Sequence, residues 1–532
     1  MRLPCRPGRG AEADDRGSQR DGDRSRLSAA QEGVSTVTER LSLATLDRVP
    51  AEFRPSFDPS SLGIGIVHLG LGAFHRAHEA VFTDEALAIE WGDWGIYGLS
   101  QRSRTIPDQL QPQDGLFTVL EKAPDHRRCR IVGSIRKVGL ASDRSSDLTG
   151  WIAAASTRII SLTVSEKGYR YDPGTGRLHD EDPAIRTDAA GGDPSTVVGQ
   201  LVRGFQARRA AGGDPLTVLS CDNIPGNGRL LRELIEQFCG LLDPLEEGGL
   251  RAWMADSVTF PCSVVDRIVP ATGAADLDEV QQLIGVQDRG AVVAEPFRQW
   301  VIEDDFAAGR PAWDAVGATL TADVLPYEVA KLRILNGTHS MLAYLGAVAG
   351  HGTIAAAMGE PPLAALVRRM IRDEVIPTLR EPPGVDLVRY GDEVLGRFTN
   401  PALGHRTHQV AMDGSLKLPQ RLLETARDLL ADGRQPRLIT LAVAGWIRYL
   451  RGVTDAGDRY DVIDPMADRV VPIASSSYSS DTIVTRLLAI REIFGDDLAG
   501  MPGFRSAVSN WLDRFLDDGV LRTVVSAGSE AP

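Results

Sequence analysis

The sequence predicts an α/β protein that begins with a parallel-sheet domain and ends in a mainly α-helical domain. Three observations favour this fold class. Short strand-like runs alternate with helical patterns through the first part of the chain, a glycine-rich turn follows the first such run, and long helical patterns replace the strands after about Thr321. We therefore expect a first domain over 46–320 and a second over 321–532.

The strand predictions come from short apolar, β-branched runs, and the helix predictions come from apolar residues at three- and four-residue spacings. The predicted strands are 66–69, 95–100, 116–120, 159–164 and 216–219. The predicted helices that define the second domain are 326–350, 363–380 and 438–451. Residues 1–45 are rich in Arg, Asp, Gly and Ser without an apolar period, which predicts a disordered tail. A functional tail and an upstream start-site artefact are both open for it.

Composition excludes several classes of partner. The 532 residues are 43% hydrophobic and carry a formal net charge of −14, which argues against a nucleic-acid or anionic-membrane partner. No apolar run reaches about 18 residues, so no transmembrane helix is expected. The five cysteines form no CxxC pair, which favours neither a zinc site nor a disulfide framework and suits a reducing cytoplasm.

A glycine-rich turn follows the first predicted strand, with Gly70 and Gly72 ahead of Ala73 and Phe74. Glycines at a strand-to-helix turn let the backbone approach a pyrophosphate and direct a helix N-terminus at it. The pattern is partial, because His75 stands where a third glycine would complete it. The turn predicts a Rossmann-type dinucleotide site, with a plain tight turn as the alternative.

The end of the second predicted strand bears on the choice of dinucleotide. NAD-specific sites commonly place an acid there to bind the ribose hydroxyls, whereas an arginine accommodates a 2′-phosphate. Here Arg102 follows the strand and no acid occurs before Asp108. We predict NAD, with NADP not excluded and surface charge as the alternative role of Arg102.

The predicted helix 326–350 carries the strongest candidate site. At about 100° per residue, Glu328, Lys331, Asn336 and His339 fall within an arc of about 140° on one face of an otherwise apolar helix. Gly337 lies among them, and a mid-helix glycine suggests that another group approaches the backbone closely. A core helix with a satisfied histidine is the structural alternative.

These groups suit hydride transfer between a secondary alcohol and a nicotinamide, assisted by a base. Lys331 would be the base if burial lowers its pKa, and Asn336 and Asn223 would donate amide N–H groups to the alcohol oxygen. His339 could bind the same or an adjacent hydroxyl. Glu328 could relay protons or be an exposed partner of Lys331. No HExxH motif and no cysteine pair is present, so we expect no metal.

A cluster of cationic side chains lies in the second half of the chain. Arg406, His408 and Lys417 fall within 397–421. They could bind an anionic or polyhydroxylated substrate, or simply solvate a loop.

Several motifs together resemble the mannitol dehydrogenase family of polyol-specific long-chain dehydrogenases and reductases. The resembling stretches are IVHLGLGAFHRAHEAVFTDEAL, SLTVSEKGY, TVLSCDNIPGNG, VDRIVPAT, EPFRQWVIEDDF and KLRILNGTHSMLAYLG. The resemblance implies a Rossmann-type domain, a helical C-terminal domain, no metal and a cleft between them. It also implies Lys331 as general base, Asn223 and Asn336 as alkoxide-stabilising amides, and His339 as a substrate-binding residue. Asp266 matches an acid near the cleft, with a structural role beside Arg267 as the alternative.

Within this family the chain is most similar to the fructuronate reductase branch, because of HRTHQVAMDGSLKLPQR and CDNIPGNG. That branch interconverts D-mannonate and D-fructuronate with NAD, and Arg406, His408 or Lys417 could meet the substrate carboxylate. Gln409 stands where mannitol 2-dehydrogenases carry arginine. Mannitol 2-dehydrogenase, mannitol-1-phosphate 5-dehydrogenase and a silent Rossmann-like binding protein are the alternatives. The oligomeric state is not predicted.

Overall fold

The computed structural model describes residues 39–529. Its strands are β1 (Ile64–Leu69), β2 (Gly95–Ser100), β3 (Phe117–Lys122), β4 (Arg127–Val132), β5 (Ile135–Leu140), β6 (Ile159–Leu162), β7 (Tyr171–Asp172), β8 (Arg177–Leu178), β9 (Leu216–Ser220), β10 (Val258–Thr259), β11 (Ser263–Asp266), β12 (Val292–Ala294), β13 (Gln299–Glu303) and β14 (Thr319–Thr321).

The α-helices lie between these strands and then follow them without further strands. They are α1 (Ala73–Ala77), α2 (Glu79–Ile89), α3 (Thr105–Leu110), α4 (Leu148–Ala153), α5 (Pro183–Ala189), α6 (Val197–Ala210), α7 (Asn227–Cys239), α8 (Pro244–Ser257), α9 (Ala274–Ile284), α10 (Leu325–Ala330), α11 (Thr338–Val348), α12 (Ile354–Met358), α13 (Pro361–Arg369), α14 (Leu387–Phe398), α15 (Thr407–Ala411), α16 (Gly414–Leu418), α17 (Glu424–Ala431), α18 (Arg437–Tyr449), α19 (Ala467–Ala474), α20 (Ser480–Leu488), α21 (Arg491–Phe494), α22 (Pro502–Asp517) and α23 (Val520–Ser529).

The central sheet has six strands in the order β10-β9-β6-β1-β2-β5, and every neighbouring pair is parallel. Both faces are covered, so nearly every residue of β1 and β2 is buried. The strand order reverses between β1 and β6, which places a ligand crevice beyond their carboxyl ends. The predicted fold class, a Rossmann-type α/β domain followed by a mainly helical region, is confirmed.

The helix predicted over 326–350 differs from the structure in its middle turns. The chain runs as α10, then as a π-helix over Lys331–Gly337, and then as α11. A π-helix bonds residue i to i+5 and so accommodates an extra residue per turn. Side-chain periodicity does not reveal it, because the apolar pattern of this buried segment is nearly continuous. Further π-helical segments occupy Met370–Val375 and Pro419–Leu423.

The helix after the glycine turn is also interrupted, at His78, into α1 and α2. The backbone of His78 has φ −123° and ψ −93°, outside the helical region. Its ring is fully buried, and Nε2 lies 2.8 Å from the carbonyl oxygen of Gln299. The contact with Gln299 holds the His78 ring in a direction that a regular helix would not give it.

Residues 39–45, which the sequence places in the tail, have a defined structure. Leu41 is fully buried and its N–H donates to the carbonyl of Gln287 at 2.8 Å. The prediction of disorder is therefore wrong for 39–45, where one leucine anchors the segment, and 1–38 lie outside the described residues. Along 39–529 we find no helix that is both long enough and apolar enough to cross a membrane.

Candidate active site

Two adjoining cavities open at the carboxyl edge of the central sheet. The larger, about 730 Å³, is lined by strand ends and by residues of the helical region. The smaller, about 410 Å³, lies over the ends of β1, β2 and β6. Thr163, Ser165 and Lys167 line both, so the loop after β6 is the wall that they share. Ser165 has φ 67° and ψ 159°, a strained conformation for a residue with a side chain.

The glycine turn borders these cavities. Gly70 has φ 103°, and a Cβ there would lie 2.2 Å from the carbonyl oxygen of Thr163, so this glycine lets β1 approach its own neighbouring strand. At Gly72 a Cβ would meet only the Gly70 carbonyl oxygen, at 3.6 Å, which leaves space above the turn. Gly70 lines the smaller cavity and Phe74 the larger, whereas Gly72 and Ala73 line neither.

The far wall of the smaller cavity follows β2. It includes Gln101, Arg102 and Ser103, and none of the lining residues is an Asp or Glu. Arg102 is exposed and makes no hydrogen bond or ion pair to any of the residues 39–529. An acid that would bind ribose hydroxyls is therefore missing from the described wall, as the sequence predicted.

Lys331 lies at the start of the π-helix and points into the larger cavity. Its Nζ donates to Oδ1 of Asn223 at 2.6 Å and to the carbonyl oxygen of Val265 at 2.7 Å. Asn223 follows β9, and Val265 lies in β11. The structure thus brings together a lysine and an amide that are 108 positions apart in the chain.

The environment of Lys331 lowers the pKa of its amine. Burial is the main cause, and the positive charges of Arg421 and Arg397 act in the same direction. The carboxylates of Asp266 and Glu328 oppose this shift. Because the neutral amine is the form that can take a proton, this environment suits a general base.

Asn336 and His339 follow Lys331 along the same helical segment and are buried, each 8% exposed. Oδ1 of Asn336 and Nε2 of His339 are buried without a hydrogen-bond partner in the described part of the chain. Leaving such groups unpaired costs about 1–3 kcal/mol each. The His339 ring stacks on Phe398 at 4.7 Å, and burial keeps its pKa well below the ordinary value. Neither residue lines the two cavities, and their roles stay predictions.

Glu328 is buried, 8% exposed, so the alternative of an exposed partner for Lys331 does not describe it. Its Oε2 accepts from the backbone N–H of Gly226 at 3.0 Å, and burial raises its pKa. Glu328, Lys331 and Asn223 all line a small cavity of about 20 Å³. That volume accommodates about one water molecule.

Asp266 lines the larger cavity and is held by Arg397 of α14. Its Oδ2 accepts from Nη1 of Arg397 at 2.6 Å, while Nη2 and Nε of the same arginine donate to Glu295 at 2.7 and 3.0 Å. Arg267 contacts Glu121 and backbone carbonyls instead. The structural partner of Asp266 is therefore Arg397, not the neighbouring Arg267 that the sequence suggested.

The cationic cluster divides in the structure. Lys417 lines the larger cavity, and burial and Arg421 lower its pKa to about 8. Arg406 is exposed, and His408 packs against Tyr460 at 4.6 Å between ring centroids. Neither of these two lines the described cavities, so their substrate-binding roles stay predictions without a contact that supports them.

Sequence reasoning assigned no role to Arg397 or Arg421, although both shape the charge around Lys331. It also passed over Asp222, whose carboxylate accepts from the backbone N–H of Ser165 at 2.8 Å and from the Tyr169 hydroxyl at 2.6 Å. Asp222 precedes Asn223, so it fixes the shared wall beside the amide that contacts Lys331. No spacing pattern marks these residues.

A cluster of three buried polar side chains lies beside the glycine turn. His68, His75 and Glu79 bring their ligand-type atoms within 4.8 Å of one another. The two imidazole rings stack at 3.5 Å, and Nε2 of His68 lies 2.9 Å from Oγ1 of Thr163. The hydroxyl of Thr163 donates to the Gly70 carbonyl at 2.9 Å. The group thus connects β1, α2 and the loop after β6.

Comparison with known proteins supports a family assignment. A model of the mannitol dehydrogenase Rossmann domain matches residues 64–315, and a model of the mannitol dehydrogenase C-terminal domain matches residues 323–516. The Escherichia coli (strain K12) oxidoreductase YeiQ is 43% identical over 85% of this chain and 92% of its own length. D-mannonate oxidoreductase of the same organism is 41% identical over 89% of this chain and 97% of its own length.

A solved structure agrees with these relatives. The Pseudomonas fluorescens mannitol 2-dehydrogenase, in a ternary complex with NAD and D-mannitol, superposes with a TM-score of 0.83 at 37% sequence identity, covering 92% of this chain and 100% of that one. Together the two family models match 64–315 and 323–516, and each of the three relatives covers at least 85% of this chain. The chain therefore belongs to the mannitol dehydrogenase family and is an oxidoreductase.

Proposed function

We propose that this protein is an NAD-dependent, metal-independent oxidoreductase that interconverts a secondary alcohol and a ketone on a hexuronate, with D-mannonate and D-fructuronate as the substrate pair. The observation that carries the chemistry is the buried Lys331 amine, 2.6 Å from Asn223 in the lining of a 730 Å³ cavity. The similarity to D-mannonate oxidoreductase supports the choice of substrate pair.

The smaller cavity fits the predicted dinucleotide. It lies at the carboxyl ends of parallel strands where the order reverses, and Gly70 of the glycine turn lines it. Gly70 and the loop after β6 would hold the dinucleotide, and Arg102 would border its ribose end. When bound, the nicotinamide supplies the hydride acceptor or donor.

Lys331 is the group that moves the proton. As a neutral amine it takes the hydroxyl proton of the alcohol while the carbon loses its hydride, and as an ammonium it returns that proton in the reverse direction. Amide N–H groups of Asn223 and Asn336 would donate to the oxygen, where each such donor is worth about 3–4 kcal/mol in comparable sites. His339 would bind a neighbouring hydroxyl.

Glu328 would pass the proton between Lys331 and solvent. The water-sized cavity that both side chains line and the raised pKa of the Glu328 carboxyl suit such a relay. Because the two groups share no direct hydrogen bond in the described structure, the transfer requires a bridging water.

A substrate panel tests the proposal. We expect NADH oxidation with fructuronate to exceed that with fructose or fructose 6-phosphate in kcat/KM. Fructose as the preferred substrate would favour the mannitol 2-dehydrogenase alternative, which the solved relative supports. Preference for fructose 6-phosphate would favour a mannitol-1-phosphate 5-dehydrogenase. NADH binding without turnover of any of the three would favour a silent binding protein.

The coenzyme is tested in the same assay. The described cavity wall contains Arg102 and no carboxylate, an arrangement that tolerates a 2′-phosphate. We therefore expect NADPH to support measurable turnover beside NADH. Arg102→Glu should lower kcat/KM with NADPH more than with NADH, and equal effects would contradict this role of Arg102.

A further inference from the structure

Arg421 carries a positive charge into the larger cavity without a compensating carboxylate. Its Nη1 donates to the Ser340 hydroxyl at 3.1 Å, and no carboxylate of the residues 39–529 lies within ion-pair distance of its guanidinium. Burial lowers the pKa of Arg421 to about 10. A charge withdrawn from water without a partner is unfavourable.

Two other buried arginines of the described structure find partners within the protein. The guanidinium of Arg397 forms ion pairs with Asp266 and Glu295. Arg208, which also has no carboxylate partner, donates instead to four backbone carbonyls. Arg421 has one hydroxyl acceptor, so its remaining N–H groups are left for whatever enters the cavity.

Lys417 stands four residues before Arg421 and lines the same cavity. Its Nζ donates to the backbone carbonyls of Val410, at 3.3 Å, and Met412, and not to a carboxylate. The two cations repel each other, since Arg421 lowers the pKa of Lys417. An anion bound between them would relieve this repulsion and the cost of burial together.

The surrounding acids limit how much negative charge the cavity accepts. Asp413 and Glu166 also line it and act on both cations at a distance. A monoanion therefore suits the local balance better than a dianion, because each added negative charge also repels these carboxylates. Among anionic sugars this favours a carboxylate over a phosphate.

We propose that Arg421, together with Lys417, binds the carboxylate of a monocarboxylated sugar and makes this cavity selective for sugar acids over neutral polyols and sugar phosphates. The planar guanidinium matches a carboxylate through two parallel N–H donors. This inference rests on the proposed function, since it names the part of the substrate that selects it.

The test compares Arg421→Gln with wild type on fructuronate and on fructose, with NADH. Loss of a charge-assisted hydrogen bond should raise KM for fructuronate by about 10- to 100-fold, with kcat changed less than KM and with KM for fructose within about 3-fold. Arg421→Lys, which keeps the charge, should recover part of the affinity. Arg459→Gln, an exposed arginine outside this cavity, serves as the matched control and should behave as wild type.

An equal rise in KM for fructuronate and for fructose would assign Arg421 a structural role and overturn the inference. An unchanged KM for fructuronate would overturn it as well. A larger rise in KM for fructose 6-phosphate than for fructuronate would overturn the preference for a carboxylate.

Calorimetric binding of D-mannonate and D-mannitol to the NADH-free protein gives a readout that does not need turnover. If wild type turns over no substrate, the proposed function fails, while loss of D-mannonate binding in Arg421→Gln alone would still uphold the carboxylate site. A melting temperature close to wild type verifies that Arg421→Gln is folded.

Discussion

At the scale of single residues, the chemistry depends on the environment of one amine. Lys331 is held by an amide oxygen and a backbone carbonyl rather than by a carboxylate. It therefore gains orientation without the charge pairing that would stabilise the ammonium form. Asp266, the acid that raises the pKa of this amine most, is already bound to Arg397. The pairing with Arg397 thereby limits how far the negative charge of Asp266 raises the pKa of Lys331.

Replacing Lys331 tests its role as base. We expect Lys331→Ala and Lys331→Arg to fold and to bind NADH, with kcat lowered by about 10²–10⁴ because the proton acceptor is lost. Circular dichroism measures folding, titration with NADH measures binding, and steady-state kinetics measure kcat. Activity near that of wild type in Lys331→Ala would reject the assignment, and Lys331→Arg controls for the loss of charge.

The pH dependence follows from the direction of the pKa shift. Alcohol oxidation needs the neutral amine, so kcat/KM should rise with pH through a pKa below the ordinary lysine value of 10.5. Ketone reduction needs the ammonium, so kcat/KM should fall through the same pKa. In Lys331→Arg both limbs should disappear, because an arginine stays protonated. An oxidation limb centred at 10.5 or above would show that burial does not tune this amine.

At the scale of elements, two π-helical segments meet beside the site. The backbone carbonyl of Arg421 would lie 2.7 Å from a Cβ placed on Gly337. Gly337 ends the segment that begins with Lys331, and Arg421 lies within the segment Pro419–Leu423. The glycine that the sequence singled out therefore has a defined reason, since only a residue without a side chain permits this contact. The contact fixes the base and the cavity cations relative to each other.

Gly337→Ala tests this contact. We expect the added methyl group to force the two segments apart, to lower the free energy of unfolding by about 1–3 kcal/mol and to reduce kcat. Denaturant unfolding and kinetics measure both effects. Gly248→Ala is the matched control in the interior of α8, where a Cβ meets nothing within 4 Å, and it should stabilise by up to about 1 kcal/mol. Similar behaviour of the two variants would contradict the packing argument.

At the scale of the whole molecule, Arg397 connects the helical region to the Rossmann-type region. It lies in α14 and binds Asp266 at the end of β11 and Glu295 directly after β12. All three side chains are at most 7% exposed. Removal of the guanidinium would leave two buried carboxylates without the positive charge with which both are paired. The ion pairs therefore fix the position of α14 against β11, the strand that carries Val265, an acceptor for Lys331.

Arg397→Met should lower the free energy of unfolding by about 3–5 kcal/mol, the usual cost of breaking a buried ion pair. Thermal and urea unfolding measure the loss. Arg368→Met removes an exposed pair with Asp392, whose side chains are 55% and 56% exposed, and should change stability by less than about 1 kcal/mol. Comparable losses in both variants would show that the buried pairs do not hold the two regions together.

The extent of prediction differed between local and long-range features. The strand 95–100 was predicted with the boundaries that β2 has, because its residues favour a buried strand locally. The polar group on 326–350 was predicted from helical spacing, and of its members Lys331 lines the larger cavity whereas Asn336 and His339 do not. Arg421, Arg397 and Asp222 could not be found this way. Their importance comes from what surrounds them in space, and each is an ordinary polar residue in the sequence.

The sequence by itself determined the α/β class, a Rossmann-type part followed by a mainly helical one, the family and the residue types available for chemistry. Only the tertiary structure decided that Lys331 meets Asn223 across 108 positions, that Arg397 is paired whereas Arg421 is not, and that a π-helix carries the base. Propensity and periodicity depend on neighbours in the chain, whereas desolvation and charge compensation depend on neighbours in space. For that reason the pattern of side chains predicted the fold, and the protonation and selectivity of the site follow from packing.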